Sequence, residues 1–538
     1  MSKKITYSGD TVIIGGGLAG LTVALELLDC NKRVVMLDRD VGQNFGGLAR
    51  ESFGGIFMVN TPVQRRMRIR DSISLARQDW MSFADFGPTD IWPRRWMDKY
   101  LERSIPDIYE WLTQRNVNFF PVVHWVERGY QVPGNSVPRF HMVWGTGKGL
   151  IESLLHRLVN HPNRNQLTVR WGHRVTQLEV QNGHVSGCSG LIESSGESFC
   201  AKSDCIVVAS GGINGSLEQV RNHWHTDWSA PPNMILNGSH KYAIGDLHQG
   251  VKSIGGQLTH LNWMWNYAAG VQHPTPRMPF HGLSVVPPRS ALWLNYQGRR
   301  LGPPHLMAGF DTRYLIQQIC RQPYQYSWQL MNYKIAVKEL AISGSEHNKA
   351  IANKDLLGFL KDILLGNKSL VNHLINDCPD VVTGNSIDEV VEKMNALENN
   401  QLIRPNIVHD EIANYDQRIR TRDYSKDDQL NRLKQLRKYR GDRARTCNFQ
   451  PIMDKKAMPL IAMRYYILSR KSLGGIQTDL QSRVLSTDGS PLSGLYAVGE
   501  SAGFGGGGIH GKRALEGTFL GSCLLTGLAA ARSIVSGH

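Results

Sequence analysis

The sequence is poor in cysteine, and its cysteines are scattered. Eight occur among 538 residues, and no two of them form a Cys-x-x-Cys pair or share the spacing of a zinc finger. Scattered thiols in a long chain predict a reducing compartment and argue against a disulfide framework. The spacing predicts no metal site.

Long apolar runs are also missing from the sequence. No uninterrupted apolar stretch approaches the roughly 18 residues that a membrane-spanning helix needs. The opening MSKKITYSGD contains neither an apolar signal region nor a twin-arginine pair. These absences predict a cytoplasmic protein without a transmembrane segment.

Acidic residues are in deficit, since 61 Lys and Arg stand against 46 Asp and Glu, for a formal net charge of +15. A basic surface attracts nucleic acids, anionic membranes or acidic substrates. The basic stretches 62–70 and 418–445 also carry Asp, as solvated faces do. They lack interleaved aromatic and basic repeats, so we expect no nucleic-acid partner. An RNA-binding or scaffold function is the alternative that we rank last.

The order of predicted elements indicates the fold class. Residues 11–14 are typical of a buried strand, 18–29 of a helix and 33–38 of a second strand. This β-α-β order predicts an α/β fold with a doubly wound parallel sheet. From about residue 257 aromatic residues become dense, and 330–445 is largely helical and charged, which predicts a separate α+β cap domain. The predicted domain boundaries are 1–260, 261–450 and 451–538.

The first glycine-rich motif predicts a dinucleotide site. Residues 15–20 read G-G-G-L-A-G, which is G-x-G-x-x-G between a strand and a helix. Gly15 permits the tight turn, Gly17 lets the backbone approach a pyrophosphate, and Gly20 lets the helix pack closely on the strand. The helix N-terminus supplies free N–H groups for the phosphates. Asp38 follows the second strand and is placed to accept hydrogen bonds from ribose hydroxyls.

Two further glycine-rich segments accompany this motif. Gly46-Gly47 and the segment 52–55 follow the second strand closely. Near the other end of the chain, a strand-like LYAVGE ends at Gly499-Glu500, and four consecutive glycines follow at 505–508. Such a run costs conformational entropy, and a close backbone approach to a ligand would compensate for it. We predict that a helix begins near Leu515.

These motifs together resemble the flavoprotein family of fumarate reductase, succinate dehydrogenase and 3-ketosteroid Δ1-dehydrogenase. The resemblance covers most of the chain, and the segments that carry it are 15–38, 46–55, 209–212, 245–246 and 474–521. It implies a Rossmann-like FAD-binding domain assembled from both chain ends, with a substrate or cap domain inserted between them. It also implies an oxidoreductase that introduces or removes a C=C bond beside a carbonyl, with hydride passing at the flavin.

The resemblance implies the residues that bind FAD. Glu51 and Ser52 occupy the region where succinate dehydrogenase attaches its flavin through a His, so we expect FAD to be non-covalent. The helix after the glycine loop would point its N-terminus at the flavin and stabilise the negative charge of the reduced ring. The predicted FAD-binding residues are Gly15, Gly17, Leu18, Ala19, Gly20, Asp38, Arg39, Gly46, Gly47, Leu48, Ser52, Gly54, Gly55, Val175, Ala209, Ser210, Gly211, Gly499, Glu500, Leu515, Gly517, Thr518 and Leu520.

Four departures from the fumarate-reducing members disfavour dicarboxylate reduction. Lys471 stands where those members carry a His, and Pro303-Pro304 replaces an Asn-Glu. Ala308 and Ala514 stand where they carry arginines. Carboxylates need fixed cations in a dry site. We therefore expect a hydrophobic cyclic ketone of the 3-ketosteroid type, and keep reduction of an α,β-unsaturated acid, with Arg513 at the carboxylate, as the alternative.

The catalytic candidates follow from the ketosteroid branch. Tyr465 and Tyr466 precede the Gly474 strand, and a Tyr beside cationic Arg464 could titrate lower and act as the base. His510 could donate to the carbonyl oxygen, and Arg513 could bind an anion. Each also has a structural interpretation, as a packing, turn or surface residue. An external acceptor such as a quinone would remove the electrons, and a homo-oligomer is possible.

A cluster in 125–147 allows two interpretations. It contains Arg139 and His141 just before Gly145-Thr146-Gly147, which is typical of a helix start. These side chains form either a substrate wall or a purely structural loop.

Overall fold

The structure is a computed structural model that describes residues 5–537. The chain divides into two compact units. The first contains the residues up to His223, then Ser239–Trp265, and the chain from Arg470 onward; the second contains Trp224–Gly238 and Asn266–Ser469. The second unit includes the early segment Trp224–Gly238, because its strand Ile235–Asn237 pairs with the strand Leu460–Ser472. The composition of the sequence did not indicate this.

The first unit is built on a sheet of ten strands whose centre is parallel. The strand Pro491–Ala497 pairs in parallel with Ile206–Val208, which pairs with Thr11–Ile14. The predicted doubly wound α/β domain made from both chain ends is thereby confirmed. In spatial order the strands are Ile5–Ser8, Ser198–Lys202, His184–Ile192, Pro491–Ala497, Ile206–Val208, Thr11–Ile14, Val34–Leu37 and Leu167–Arg170, with Arg483–Leu485 beside Pro491–Ala497 and His173–Gln181 beside His184–Ile192.

Helices and two small sheets complete the first unit. The predicted helix 18–29 is found as Leu18–Asp29, and the helix Ile91–Arg103 continues into a π-helical stretch, Ser104–Glu110. The helices are Leu18–Asp29, Gly47–Glu51, Pro62–Arg66, Ile73–Ala84, Ile91–Arg103, Trp111–Thr113, Thr146–Val159, Leu217–Asn222, Asp246–Ser253 and Thr518–Ser536. The small sheets pair Gly55–Phe57 with Phe140–Met142, and Leu258–Thr259 with Gly475–Ile476.

The second unit combines an eight-stranded sheet with helices. Its long strand Leu460–Ser472 is largely buried, and it carries apolar residues on both of its faces. The strands are Leu292–Leu294, Ser327–Asn332, Leu460–Ser472, Met264–Gln272, Gly282–Val286 and Ala341–Ile342 in spatial order, with Ile235–Asn237 and Val381–Gly384 also paired to Leu460–Ser472. The helices are Thr312–Cys320, Tyr333–Glu339, Lys349–Ala352, Leu356–Leu365, Lys368–Asp377, Ile387–Glu398, Pro405–Arg420, Asp428–Leu436 and Arg440–Ala444.

The Arg139 cluster in the first unit is structural. The Arg139 guanidinium bonds the carboxylates of Asp71 at 2.8 Å and Asp79 at 2.6 Å, with almost no exposed side-chain surface on any of the three. His141 lies between the Arg139 carbonyl oxygen and the Thr61 hydroxyl, at 2.8 Å from each. Of the two interpretations of this segment, the buried network favours the structural loop.

Replacing Arg139 should therefore destabilise the fold. Arg139→Met leaves two carboxylates buried without their cation, which costs about 3–5 kcal/mol of unfolding free energy. The matched control is Arg77→Met, because Arg77 pairs with Asp98 at the surface, and exposed pairs contribute about 0–1 kcal/mol. Urea denaturation followed by tryptophan fluorescence measures both. Equal losses in the two variants would contradict a stabilising role for the buried cluster.

Candidate functional site

The first glycine turn has the geometry of a phosphate-binding loop. Gly15 has a φ of +110°, and a Cβ there would lie 2.3 Å from the Ala209 carbonyl oxygen. A Cβ on Gly20 would lie 2.1 Å from the Gly15 carbonyl oxygen, so the helix packs closely on the strand as predicted. A Cβ on Gly17 would meet nothing within 4 Å. Gly17 caps the helix Leu18–Asp29, so open space lies at the N–H groups of the helix N-terminus.

Asp38 is held against this turn. Its Oδ2 accepts a hydrogen bond from the Gly16 N–H at 2.6 Å, and its Oδ1 accepts one from the Asp40 N–H at 2.7 Å. Burial raises the pKa of Asp38. Each oxygen keeps a further lone pair for a hydroxyl donor.

Arg39 and Val175 are two more residues that the resemblance predicted to bind FAD. The Arg39 guanidinium donates to Glu193 at 2.5 Å and lies 4.4 Å from the Tyr242 ring centroid. Val175 is buried in the strand His173–Gln181.

The second glycine segment lies directly on the first. The Gly46 N–H donates to the Gly16 carbonyl oxygen at 3.0 Å, and a Cβ on Gly47 would lie 3.5 Å from the Gly17 Cα. Leu48 follows in the helix Gly47–Glu51. The two glycine turns therefore form one surface around the open space at Gly17.

A side chain at Gly54 or Gly55 would overlap other protein atoms. The Ser52 hydroxyl accepts from the Gly54 N–H at 3.2 Å and donates to a backbone carbonyl. A Cβ on Gly54 would lie 2.6 Å from the Thr146 backbone, and one on Gly55 would lie 1.7 Å from the Phe140 ring. Packing alone explains why both positions are glycine.

The C-terminal segment meets the N-terminal one at Gly499. A Cβ on Gly499 would lie 2.9 Å from the Ala19 Cβ. The next residue, Glu500, accepts a hydrogen bond from the Ser472 N–H at 2.9 Å, and burial raises its pKa to about 7. A Cβ on Gly212 would lie 2.6 Å from the Glu500 carboxylate. The turn 209–212, with Ala209, Ser210 and Gly211, thus adjoins Glu500.

A side chain at any of the four glycines 505–508 would come too close to other protein atoms. Cβ atoms at Gly505 and Gly506 would meet the Trp96 ring, one at Gly507 would lie 2.0 Å from the Thr259 hydroxyl, and one at Gly508 would meet Trp263. Protein packing therefore accounts for glycine at all four positions, and the ligand approach that the sequence suggested stays a prediction.

The helix that follows the loop begins later than predicted. It runs from Thr518 to Ser536, because Gly517 caps it in a left-handed conformation with φ +96°. The Leu515 carbonyl oxygen accepts from the Thr518 hydroxyl at 2.6 Å. Leu515 and Leu520 are buried. This helix is long and apolar enough to cross a membrane by length and composition, yet 78% of its most apolar window is buried inside the protein.

His510 lies inside an aromatic box. Its ring stacks on Trp80 with centroids 6.0 Å apart and contacts Phe519 at 4.8 Å and Phe504 at 5.2 Å. Within residues 5–537 neither ring nitrogen has a hydrogen-bond partner, although the side chain is fully buried. Burial lowers the pKa of His510 well below its usual value. A neutral imidazole without a protein partner is suited to bond a ligand.

Lys471 lies at the same aromatic box. From the sequence alone it stood out only because it replaces the His of the fumarate-reducing members. Its Nζ lies 3.9 Å from the Phe519 ring centroid. Burial lowers the pKa of Lys471 to about 8, although Glu516 and Glu500 oppose the change. The signal in the sequence is a lysine near the end of a largely apolar strand, just before Gly474-Gly475.

The tyrosine prediction requires a correction. Burial raises the pKa of both Tyr465 and Tyr466, and Arg464 opposes this rise only in part at Tyr466. The Arg464 charge is already engaged by Asp380 at 2.7 Å and Glu398 at 2.5 Å. The Tyr465 hydroxyl donates to the Gln329 side chain at 2.8 Å in the core of the second unit. The expected low pKa is wrong, and Tyr465 has a structural hydrogen bond.

Arg513 carries its charge close to a carboxylate. Its guanidinium lies 3.6 Å from Asp85, and the side chain is half-buried. It stands in the first unit, as His510 and Lys471 do.

Two groups of His and carboxylate side chains in the described part of the second unit are close enough together to suggest a metal ion. In one, the His273 Nδ1 accepts from the Thr275 N–H at 3.0 Å, which places the proton of a neutral ring on Nε2. In the other, Arg300 and Arg432 already neutralise Asp427 and Asp428. Neither arrangement favours a metal.

Comparison with known proteins agrees with the geometry. The family model "FAD binding domain" matches residues 10–520. The chain is 40% identical to a KsdD-like steroid dehydrogenase of Mycobacterium tuberculosis over 98% of this chain and 95% of that protein. It is 39% identical to a KsdD-like steroid dehydrogenase of Mycolicibacterium smegmatis, over 95% and 96% of the two chains.

A solved structure shares the fold. The 3-ketosteroid Δ1-dehydrogenase from Sterolibacterium denitrificans, in complex with 1,4-androstadiene-3,17-dione, superposes with a TM-score of 0.73 at 15% identity, over 99% of this chain and 100% of that one. With a family model matched along nearly all of the chain and full-length relatives at about two-fifths identity, the protein belongs to the FAD-binding oxidoreductase family that includes the KsdD-like steroid dehydrogenases, and FAD is its cofactor.

Proposed function

We propose that the protein is an FAD-dependent dehydrogenase that removes two hydrogens from a CH–CH group beside a carbonyl, in a flat hydrophobic ketone of the 3-ketosteroid type. The observation that carries this proposal is the aromatic box of the first unit, in which Trp80, Phe504 and Phe519 surround the unpartnered His510. Apolar walls with one convergent polar group suit such a ketone. The full-length relatives named as steroid dehydrogenases support the same substrate class.

The open space at Gly17 is the proposed pyrophosphate site. The N–H groups at the head of the helix Leu18–Asp29 would bind the phosphates, and Asp38 would accept from the ribose hydroxyls. Glu500 would bind a ribityl hydroxyl, and the N-terminus of the helix Thr518–Ser536 would face the flavin ring. The roles of the remaining predicted FAD-binding residues stay predictions. No His precedes Gly54 in the segment 46–53, and we propose a non-covalent cofactor.

Bound FAD supplies the acceptor for the hydride that leaves the substrate. The neutral His510 would donate an N–H to the ketone oxygen and stabilise the charge that develops there. Lys471, in its neutral form, would take the proton from the carbon beside the carbonyl. The surrounding aromatic rings exclude water, which strengthens both interactions. Tyr466 and Arg513 stay secondary candidates, and a quinone or another external acceptor would remove the electrons.

One observation favours a second candidate function. Lys471 has a pKa of about 8, so near neutral pH its ammonium supplies the fixed cation that a carboxylate substrate needs. Together with Arg513 it would bind an α,β-unsaturated acid, which the protein would reduce.

The cytoplasmic location stays a prediction, based on cysteines that are free thiols.

Gly17→Ala should remove FAD without harming the protein. The added Cβ meets no protein atom, and the backbone φ of −71° suits alanine. The unfolding free energy of the apoprotein should therefore stay equal or rise by about 0.4–1 kcal/mol. FAD affinity, measured by flavin fluorescence on titration, should fall. Gly20→Ala is the control, because its Cβ would clash with the Gly15 carbonyl and should destabilise the apoprotein. Unchanged FAD affinity in Gly17→Ala would reject the pyrophosphate site.

A 3-ketosteroid should bleach the flavin absorbance near 450 nm under anaerobic conditions. His510→Phe keeps the aromatic packing but removes the donor, and should slow bleaching by about 10²-fold or more. Stopped-flow absorbance measures both. The absence of bleaching by any cyclic ketone, together with reoxidation of reduced flavin by fumarate, would instead support the acid reductase.

Lys471 should set the pH dependence of flavin reduction. A base with a pKa of about 8 is protonated and inactive below that pH, so the bleaching rate should rise with pH and level off above about 8. Lys471→Met should remove the rising limb, and Lys471→Arg should move it to higher pH. Lys252→Met, an exposed lysine of the same unit, is the control. A rising limb that persists in Lys471→Met would exclude this role.

A further inference from the structure

The helix Leu356–Leu365 of the second unit, which we call the leucine helix, is apolar but not buried. Its sequence is LLGFLKDILL, and none of its residues is buried. Leu356, Leu357, Leu360, Leu364 and Leu365 are between 44% and 80% exposed. An isolated exposed leucine is ordinary, whereas a contiguous apolar patch marks an interaction site.

Four of the five exposed leucines share one face of the helix. Leu356, Leu360 and Leu364 follow one another at intervals of four, and Leu357 lies beside them, so they form one stripe. Phe359 and Ile363 lie along one edge of this stripe and are partly buried. The helix is anchored at its start by the Asp355 side chain, which accepts from the Gly358 N–H at 2.9 Å, and the Lys338 ammonium donates to the Ile363 carbonyl oxygen at 2.8 Å.

Exposed lysines surround the stripe. Lys349, Lys354, Lys361 and Lys368 lie before, within and after the leucine helix, and all four are exposed. The acidic residues of the same segment are Asp355, which caps the helix, and Asp362, which is half-buried. The whole chain has a formal net charge of +15. An apolar face with basic flanks is the pattern of a helix that lies in a lipid interface, with leucines in the acyl boundary and lysines at anionic headgroups.

We propose that the leucine helix docks the protein on an anionic lipid bilayer, with the Leu356, Leu357, Leu360 and Leu364 stripe inserted at the headgroup boundary. A second copy of the chain is a less suitable occupant. A two-fold interface would place the same patch against itself, and so bring the four lysines of one copy towards those of the other. An anionic headgroup layer has the complementary charge.

Vesicle co-sedimentation of the FAD-loaded full chain tests this inference. The vesicles are phosphatidylcholine alone, or phosphatidylcholine with one-third phosphatidylglycerol. We expect binding to the mixed vesicles that weakens at least tenfold in Leu357→Gln/Leu364→Gln and in Lys354→Gln/Lys361→Gln. Binding of the wild type should also fall as salt is raised. The matched control is Val159→Gln/Leu191→Gln, which removes two exposed apolar side chains of the first unit and should bind as the wild type does.

Two results would overturn the proposal. One is wild-type binding that the leucine variant does not weaken relative to the control. The other is a dimeric wild type, by light scattering, that the leucine variant converts to a monomer without any vesicle binding, which would assign the patch to a second copy. The far-UV circular dichroism of each variant, compared with that of the wild type, shows that it is folded, and the readout does not depend on the substrate proposed above.

Discussion

The parallel pairing of the strand Pro491–Ala497 with Ile206–Val208 is the constraint on which the site depends. It leaves a single strand, Ile206–Val208, between Pro491–Ala497 and the first dinucleotide strand, Thr11–Ile14. Residues far apart in the sequence, such as Ala19 and Gly499, then come into contact. Closing so long a loop costs only slightly more entropy than closing a short one. The burial of apolar strand residues offsets that cost.

Burial then sets the chemistry of the polar groups in the first unit. The same low-polarity surroundings keep His510 neutral and bring the pKa of Lys471 to about 8. They also raise the pKa of Glu500 to about 7. In water each of these groups would carry its charge more readily. A site that brings the pKa of a lysine down to about 8 is suited to proton transfer at carbon, because a usable fraction of that lysine is then neutral, whereas a fully ionised lysine would be inert.

Two apolar helices show that composition does not decide what a helix does. The helix Thr518–Ser536 is apolar enough for a membrane span, yet the surrounding sheet and helices bury most of it. The leucine helix is shorter and also apolar, but it has no buried residue. The first packs its apolar surface into the core of the FAD-binding unit, whereas the apolar surface of the second is exposed and available to a partner.

The sequence by itself determined the elements that depend on local rules. The G-x-G-x-x-G turn, the helix Leu18–Asp29 and the flanking strands follow from glycine conformations and apolar periodicity, both of which act over a few residues. The resemblance to flavoproteins then identified the cofactor. The start of the helix Thr518–Ser536 was misplaced, because the left-handed Gly517 before it depends on the Phe57 N–H that bonds its carbonyl oxygen.

Only the tertiary structure decided which polar residues have partners. Sequence could not show that Tyr465 is bonded to Gln329, or that Arg139 is enclosed by two carboxylates. It also could not show that the four glycines at 505–508 face protein side chains, or that Lys471 lies over the Phe519 ring. Burial and hydrogen bonding arise from residues distant in the chain, and a pKa follows from that environment rather than from the residue type.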